Sequence, residues 1–242
     1  MNSSTVRDEG WVGTHRDRVM GAWMARTFFG FGVAYAVVVV AGFISLGNAR
    51  DPLPDPYLAI AEILILAMGP IMVMLMIAIH RCAPPRAKAY TVAALGWMLV
   101  AATTTMANHF VELTIGRNIS HAAVPGYERI FGFQWPSVVY GIDIVAWDIF
   151  FSLALLFAVP AFTRKSDKLV RRGFIASGAL CLIGLVGPAV NVIAWRSIGI
   201  VGYTVVFPLT CLALSSAFRK DPGGRSRTQE PLGSRWSGAA GE

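Results

Sequence analysis

The sequence predicts an all-α, polytopic integral membrane protein: a bundle of six transmembrane helices with both termini in the cytoplasm. Three observations support this fold class. Hydrophobic residues make up 55% of the chain and charged residues only 14%, whereas a soluble domain carries about 25% charged residues. The apolar residues form six runs of roughly the 20 residues that a spanning helix needs. Lysine and arginine are concentrated in alternate connections between these runs, as the positive-inside rule requires.

Each apolar run is bounded by charged or turn-forming residues, which sets the predicted spans. The second run contains Gly69-Pro70 and the fifth contains Gly187-Pro188, a pairing seen in transporters with broken helices. The connection 191–197 is short, so the last two spans should form a tight antiparallel pair. The six predicted spans are Thr27–Leu46, Tyr57–Ile79, Tyr90–Val111, Ser137–Phe162, Gly173–Val190 and Ile198–Phe218.

The chain divides into a membrane domain and two tails. Residues 1–26 are hydrophilic, and the apolar run after them is too long for a cleavable signal peptide, so it is predicted to be a retained span. Residues 27–218 form the six-span membrane domain. Residues 219–242 are rich in Gly, Ser, Arg and Pro and are predicted to be a disordered cytoplasmic tail.

The basic residues predict the orientation. Of the 21 Lys and Arg, 17 fall in the two tails and in the 80–89 and 163–172 loops, which places those segments in the cytoplasm. The net charge of +7 therefore reflects topology and attraction to membrane lipids, and nucleic-acid binding is excluded. The host membrane suggested by the Ala, Gly, Val and Arg usage is a bacterial inner membrane.

Other site classes find little support in the sequence. The three cysteines show no paired spacing, which disfavours a disulfide framework or a zinc site. His109 and Glu112 resemble half of a helical metal site, but the second half is missing, so no metal is expected. No nucleotide, flavin or other cofactor motif is present, and no cofactor is expected.

A polar stripe occupies the outer end of the third span. Thr105, Asn108, His109 and Glu112 fall within about 100° of one another on a helix. The preceding stretch, 90–106, carries no charge. Ionisable residues inside a membrane normally face the bundle interior and mark function, so this stripe is a candidate site.

Two acids lie inside the fourth span. Asp143 should be about 9 Å deep and Asp148 about 16 Å deep, close to the midplane. Tyr140 and Trp147 share the face of Asp143. On an α-helix Asp143 and Asp148 are about 140° apart, which predicts that they face two neighbouring grooves.

The remaining candidates also fall in the predicted outer half. Glu62 is near the start of the second span, and Asn191 and Arg196 flank the turn between the fifth and sixth. Asp148 is expected to pair with Arg196 or His109, or else to be protonated. The alternative for Glu62, Glu112 and Arg196 is that they are solvated at the headgroup level.

Three functional hypotheses follow. The first is an intramembrane acid–base enzyme, an isomerase or cyclase, on a lipophilic substrate; its catalytic residues would be Asp148, Asp143, Glu112 and His109. This reaction class rests on chemical analogy with small helical membrane enzymes that place acids beside aromatic rings. The substrate-binding residues would be Trp147, Tyr140, Glu62, Asn108, Asn191 and Arg196.

The second hypothesis is a small proton- or cation-coupled transporter with Asp148 as its protonatable site. The third is a non-catalytic accessory or binding membrane protein, in which the polar residues only hold helices together. An enzyme needs an aromatic pocket with two acids within reach, and a carrier needs a path across the membrane. An accessory protein would show Asp148 fully paired with no cavity. The oligomeric state does not follow from the sequence.

Overall fold

The computed structural model describes residues 11–47, 53–119 and 124–220. Residues 1–10 of the predicted N-terminal tail and residues 221–242 of the predicted C-terminal tail therefore lie outside the described residues. In the described residues the fold is all-helical, without a strand, and six helices are long and apolar enough to cross a membrane. These helices are α1 His15–Ile44, α2 Tyr57–Cys82, α3 Pro85–Gly116, α4 Val138–Ala161, α5 Lys165–Ala189 and α6 Ile193–Arg219.

The first helix begins earlier than the apolar run. Thr14 and Asp17 form a reciprocal capping box, in which the Thr14 hydroxyl accepts from the Asp17 N–H and Asp17 accepts from the Thr14 N–H. This cap satisfies two of the free amides of the first turn, so the helix starts in hydrophilic sequence at His15. The boundary predicted at Thr27 marks only where charged residues end.

The two Gly-Pro dipeptides have different surroundings. Pro70 lies inside α2, which continues from Tyr57 to Cys82 without a break. Gly187 and Pro188 instead lie in a separate turn of helix, Val186–Ala189, at the end of α5. The matched pair of broken helices that a transporter would use is therefore not formed.

The six helices form a closed ring. Each helix packs against its neighbours in sequence, and α6 returns to pack against α1. We call the side where α1 begins and α6 ends the termini side, and the opposite one the far side. The assignment of the termini side to the cytoplasm stays a prediction from the basic residues.

The interior of the ring has two zones. From the middle of the helices towards the termini side it is filled by aromatic rings packed edge to face or tilted. Most of the buried ionisable side chains lie in the far-side half, whereas Asp17 and Asp167 are buried at the termini end. The rings of this aromatic core belong to Trp11, Phe28, Phe151, Phe162, Phe174, Phe207 and Phe218.

Three helices contain a short π-helical segment. These segments are Glu112–Gly116 in α3, Val145–Phe151 in α4 and Gly202–Val206 in α6. Each adds a residue to a turn and thereby changes which side chains share a face. Such segments are rare and are often found at functional sites.

Candidate functional site: a buried chain of charged residues

Five ionisable side chains from four helices form one continuous chain. The Glu62 carboxylate lies 2.6 Å from His109 Nδ1, and His109 Nε2 lies 3.4 Å from Asp143 Oδ1. The other Asp143 oxygen accepts from Arg196 Nη2 at 2.7 Å, and Arg196 Nε donates to Asp148 at 3.2 Å. None of the five is more than 4% exposed. We call this set the charge chain.

The π segment of α4 brings the two aspartates together. Asp143 and Asp148 are five residues apart, which is the spacing that a π-helix stacks on one face. Both reach the guanidinium of Arg196. The prediction that they face two separate grooves is therefore wrong, because it assumed α-helical geometry throughout the span.

Small residues let Arg196 approach α4. A Cβ on Gly187 would come within 2.7 Å of the Arg196 amide nitrogen, and a Cβ on Gly199 within 2.5 Å of Asp148 Oδ1. The chain enters α6 through Asn191, whose φ of 57° is left-handed and acceptable for asparagine. The tight pairing predicted for the last two spans thus positions the arginine.

Aromatic rings flank the chain. The Arg196 guanidinium lies 4.5 Å from the centre of the Tyr140 ring, a cation–π contact. Trp147 stacks on Tyr203 with centroids 4.9 Å apart. Phe133, from the loop before α4, lies 5.6 Å from the His109 ring and 39% of it is exposed. Phe133 therefore lies beside His109 and reaches the surface.

Negative groups outnumber positive ones in this region. Glu112, 7% exposed, lies one turn beyond His109 and close enough to Glu62 for the two carboxyls to interact. Four buried carboxyls thus share one permanent cation, Arg196, and one histidine. Buried charge without a counter-charge is strongly unfavourable and is normally relieved by a bound proton. The region is therefore suited to hold exchangeable protons.

Three buried polar atoms in the region have no hydrogen-bond partner. They are His109 Nε2, Glu112 Oε2 and Asp148 Oδ1. Unpaired buried polar atoms are uncommon in native proteins because each one loses its hydration without compensation. Their concentration at one place distinguishes this region from the rest of the described chain.

The structure separates the sequence-predicted residues into two groups. Glu62, Glu112 and Arg196 are buried, so the alternative that they are solvated at the headgroup level is wrong. Asn108 donates to the Val139 carbonyl at 3.2 Å and thereby ties α3 to α4. Asn191 is exposed in the turn before α6, where it accepts from Trp135 at 2.9 Å, and it does not join the charge chain.

Two nearby aromatic residues were not predicted from the sequence. Tyr203 and Tyr35 lie close enough to Asp143 for its charge to act on them. Each sits in a long apolar run, where a tyrosine resembles ordinary packing. The small-residue pattern of Gly199 and Gly202 could have drawn attention to Tyr203.

A loop helix anchors the far end of α3. Tyr127, in the one-turn helix Tyr127–Ile130, donates to the Gly116 carbonyl at 2.5 Å. Burial and the Glu112 and Glu128 carboxylates raise the pKa of Tyr127 above its usual range. The phenol therefore keeps its proton and this hydrogen bond at neutral pH.

The charge chain is closed to solvent, since none of its five members is more than 4% exposed. Two cavities in the described residues, of about 280 and 270 Å³, lie elsewhere and do not touch it. No three His, Cys, Asp or Glu side chains in the described ranges are placed to hold a metal ion. Phe133, beside His109 and partly exposed, is the candidate cover over this end of the charge chain.

No family model, curated protein or solved structure matches this chain. Its functional assignment therefore depends on the chemistry of the site.

Proposed function

We propose that this membrane protein is an acid–base enzyme of the isomerase or cyclase type, acting on a lipophilic substrate. One observation carries the proposal: four buried carboxyls share Arg196 and His109 in one half of a ring. General acid–base catalysis needs a protonated acid beside an ionised base, and burial with unequal partners separates the two states. Such a pair moves protons without a redox cofactor.

The division of the interior favours an enzyme over a carrier. A carrier needs a route for protons or cargo to both sides of the membrane, with ionisable groups along it. Here the aromatic core fills the other half of the ring. α2 is also continuous, so a hinge at Gly69-Pro70 has no support.

A purely structural role accounts for less of the geometry. One buried ion pair suffices to tie two helices, and extra unpaired acids destabilise a bundle. The four carboxyls and three unpartnered atoms exceed what an interhelical tie requires. An accessory protein would be expected to hold each acid fully paired.

The geometry suggests distinct roles for the candidate residues. Asp148 is the proton donor, since one of its oxygens is held by Arg196 and the other is uncommitted. Glu112, whose Oε2 has no hydrogen-bond partner, is the base, and the protonated His109, held by Glu62, is its cationic neighbour. Because Tyr140 already covers Arg196, Trp147 and Tyr203 are the rings that would stabilise a developing carbocation.

The proposed reaction conserves protons and electrons. The Asp148 carboxyl adds a proton to a carbon–carbon double bond, and a carbocation forms. The base then removes a proton from a neighbouring carbon, which gives a shifted double bond or, after ring closure, a cyclic product. The positive-inside distribution supports substrate entry from the outer leaflet, in a bacterial inner membrane with cytoplasmic termini.

The test is mass spectrometry of lipophilic molecules, extracted from purified protein and from whole cells. Wild type is compared with Asp148→Asn, and with Asp55→Asn as a control for an exposed acid that pairs with Arg117. We expect a defined molecule to accumulate in cells carrying Asp148→Asn and not in the control. Identical profiles in all three strains would contradict the enzyme proposal.

A further inference from the structure

A cavity opens between α1 and α6 on the termini side, far from the charge chain. Its volume is about 280 Å³. Three basic side chains line it: His15, Arg18 and Arg219. From this cavity we infer a binding site for an anionic phospholipid, whose phosphate group would sit among these side chains.

The floor and rim of the cavity suit a lipid. Val19, Ala22 and Phe218 supply an apolar floor, and Trp23, 59% exposed, stands at the rim. The α1 residues among these follow a helical face, so the basic and apolar linings are continuous. Tryptophan at a basic helix end is typical of the membrane–water interface.

An acyl chain would have a path away from this cavity. Leu212 lies seven residues before Arg219, hence on nearly the same face of α6, and it is 40% exposed. The lipid tail can therefore run over α6 while the phosphate remains at the basic end. A soluble anion would gain nothing from this apolar surface.

The two buried acids that the structure describes at this end of the bundle are engaged elsewhere. Asp17 lies between His15 and Arg18 in sequence, but its carboxylate faces Arg81 and Thr14. The other buried acid at this end of the bundle, Asp167, is bound by Arg164. Basic pockets between transmembrane helices are known to bind anionic headgroups.

The experiment is native mass spectrometry of the full chain in detergent, titrated with phosphatidylglycerol or, as the neutral lipid, phosphatidylcholine. The test variant is the double substitution His15→Gln, Arg219→Gln. The control, Arg16→Gln, Lys220→Gln, removes more charge from the same helix ends but spares the cavity. All four residues are exposed, so folding is preserved.

We expect wild type and the control to retain phosphatidylglycerol in preference to phosphatidylcholine. The test variant should bind it at least about fivefold more weakly. Equal weakening in both variants, or equal retention of the two lipids, would overturn the site. Displacement of bound lipid by millimolar inorganic phosphate would overturn the lipid as ligand, since the cavity would then hold the free ion. None of these outcomes depends on the proposed enzyme activity.

Discussion

The order of charges in the charge chain predicts different consequences for its two aspartates. From Glu62 to Arg196 the formal charges alternate: negative, positive, negative, positive, with His109 protonated, and Asp148 follows as the protonated acid of the proposal. Asp143 stands between the two cations, whereas Asp148 is the last member and contacts one. Replacing the central acid should therefore destabilise the fold far more than replacing the terminal one.

The magnitudes follow from the contacts. Removing one partner of a buried ion pair destabilises a protein by about 3–5 kcal/mol. Asp143→Asn should destabilise the fold by about 3 kcal/mol, the lower end of that range. In the wild type Arg196 Nη2 donates to the Asp143 carboxylate at 2.7 Å, and the asparagine amide oxygen can still accept this hydrogen bond. Asp148→Asn should destabilise the fold by no more than about 1 kcal/mol, since it keeps an oxygen for Arg196 Nε and replaces one neutral group by another.

Unfolding in mixed micelles, titrated with a denaturing detergent and followed by tryptophan fluorescence, measures both free energies. Asp55→Asn serves as a surface control and should change stability by less than about 0.5 kcal/mol. The free energies of unfolding of Asp143→Asn and Asp148→Asn should differ by about 2 kcal/mol. A loss from Asp148→Asn as large as that from Asp143→Asn would refute the alternating arrangement.

Three further predictions test the site and the topology. Gly199→Ala should destabilise the fold by about 1–3 kcal/mol, because the new Cβ would lie 2.5 Å from Asp148 Oδ1. The control is Gly30→Ala, since Gly30 has open space around it. Equal effects of the two substitutions would count against the close contact. Phe133→Ala should speed the modification of His109 by diethyl pyrocarbonate, measured by peptide mass spectrometry. Phe43→Ala, the control at an exposed surface residue, should leave the rate unchanged. An unchanged rate in Phe133→Ala would mean that Phe133 does not cover His109. Gln134→Cys should react with an impermeant maleimide in intact cells, and Lys165→Cys only after lysis. The background should be low because Cys82, Cys181 and Cys211 are buried. The reverse labelling would invert the predicted orientation.

The sequence predicted the spans well, because spanning a membrane imposes a simple length requirement. Six apolar runs became six helices of sufficient length. The helix ends were less predictable, since α1 begins at a capping box within hydrophilic sequence. That signal, Thr14 followed by Asp17 three residues later, was present but is weak when no apolar residues follow it at once.

The site was only partly predictable. The set of buried ionisable residues could be found because acids and a histidine are conspicuous in apolar runs. The contact of Asp148 with Arg196 was among the expected pairings. The convergence of both aspartates on that arginine was not, because it depends on the π segment that turns Asp148 towards Asp143. The contribution of Tyr203 likewise arises from the packing of α6 against α4, which no local pattern encodes.

The order of residues along the charge chain also bears on how the protein is made. Glu62, His109 and Asp143 lie on successive helices, so each can find its partner as the next helix enters the membrane. Asp148 must wait for Arg196, 48 residues later, which takes about 2–10 s at ordinary rates of synthesis. During that interval α4 carries an acid without its arginine, a burden of about 2.5–3.5 kcal/mol on insertion scales. The nascent chain is therefore most vulnerable to misinsertion and proteolysis between the synthesis of α4 and that of α6.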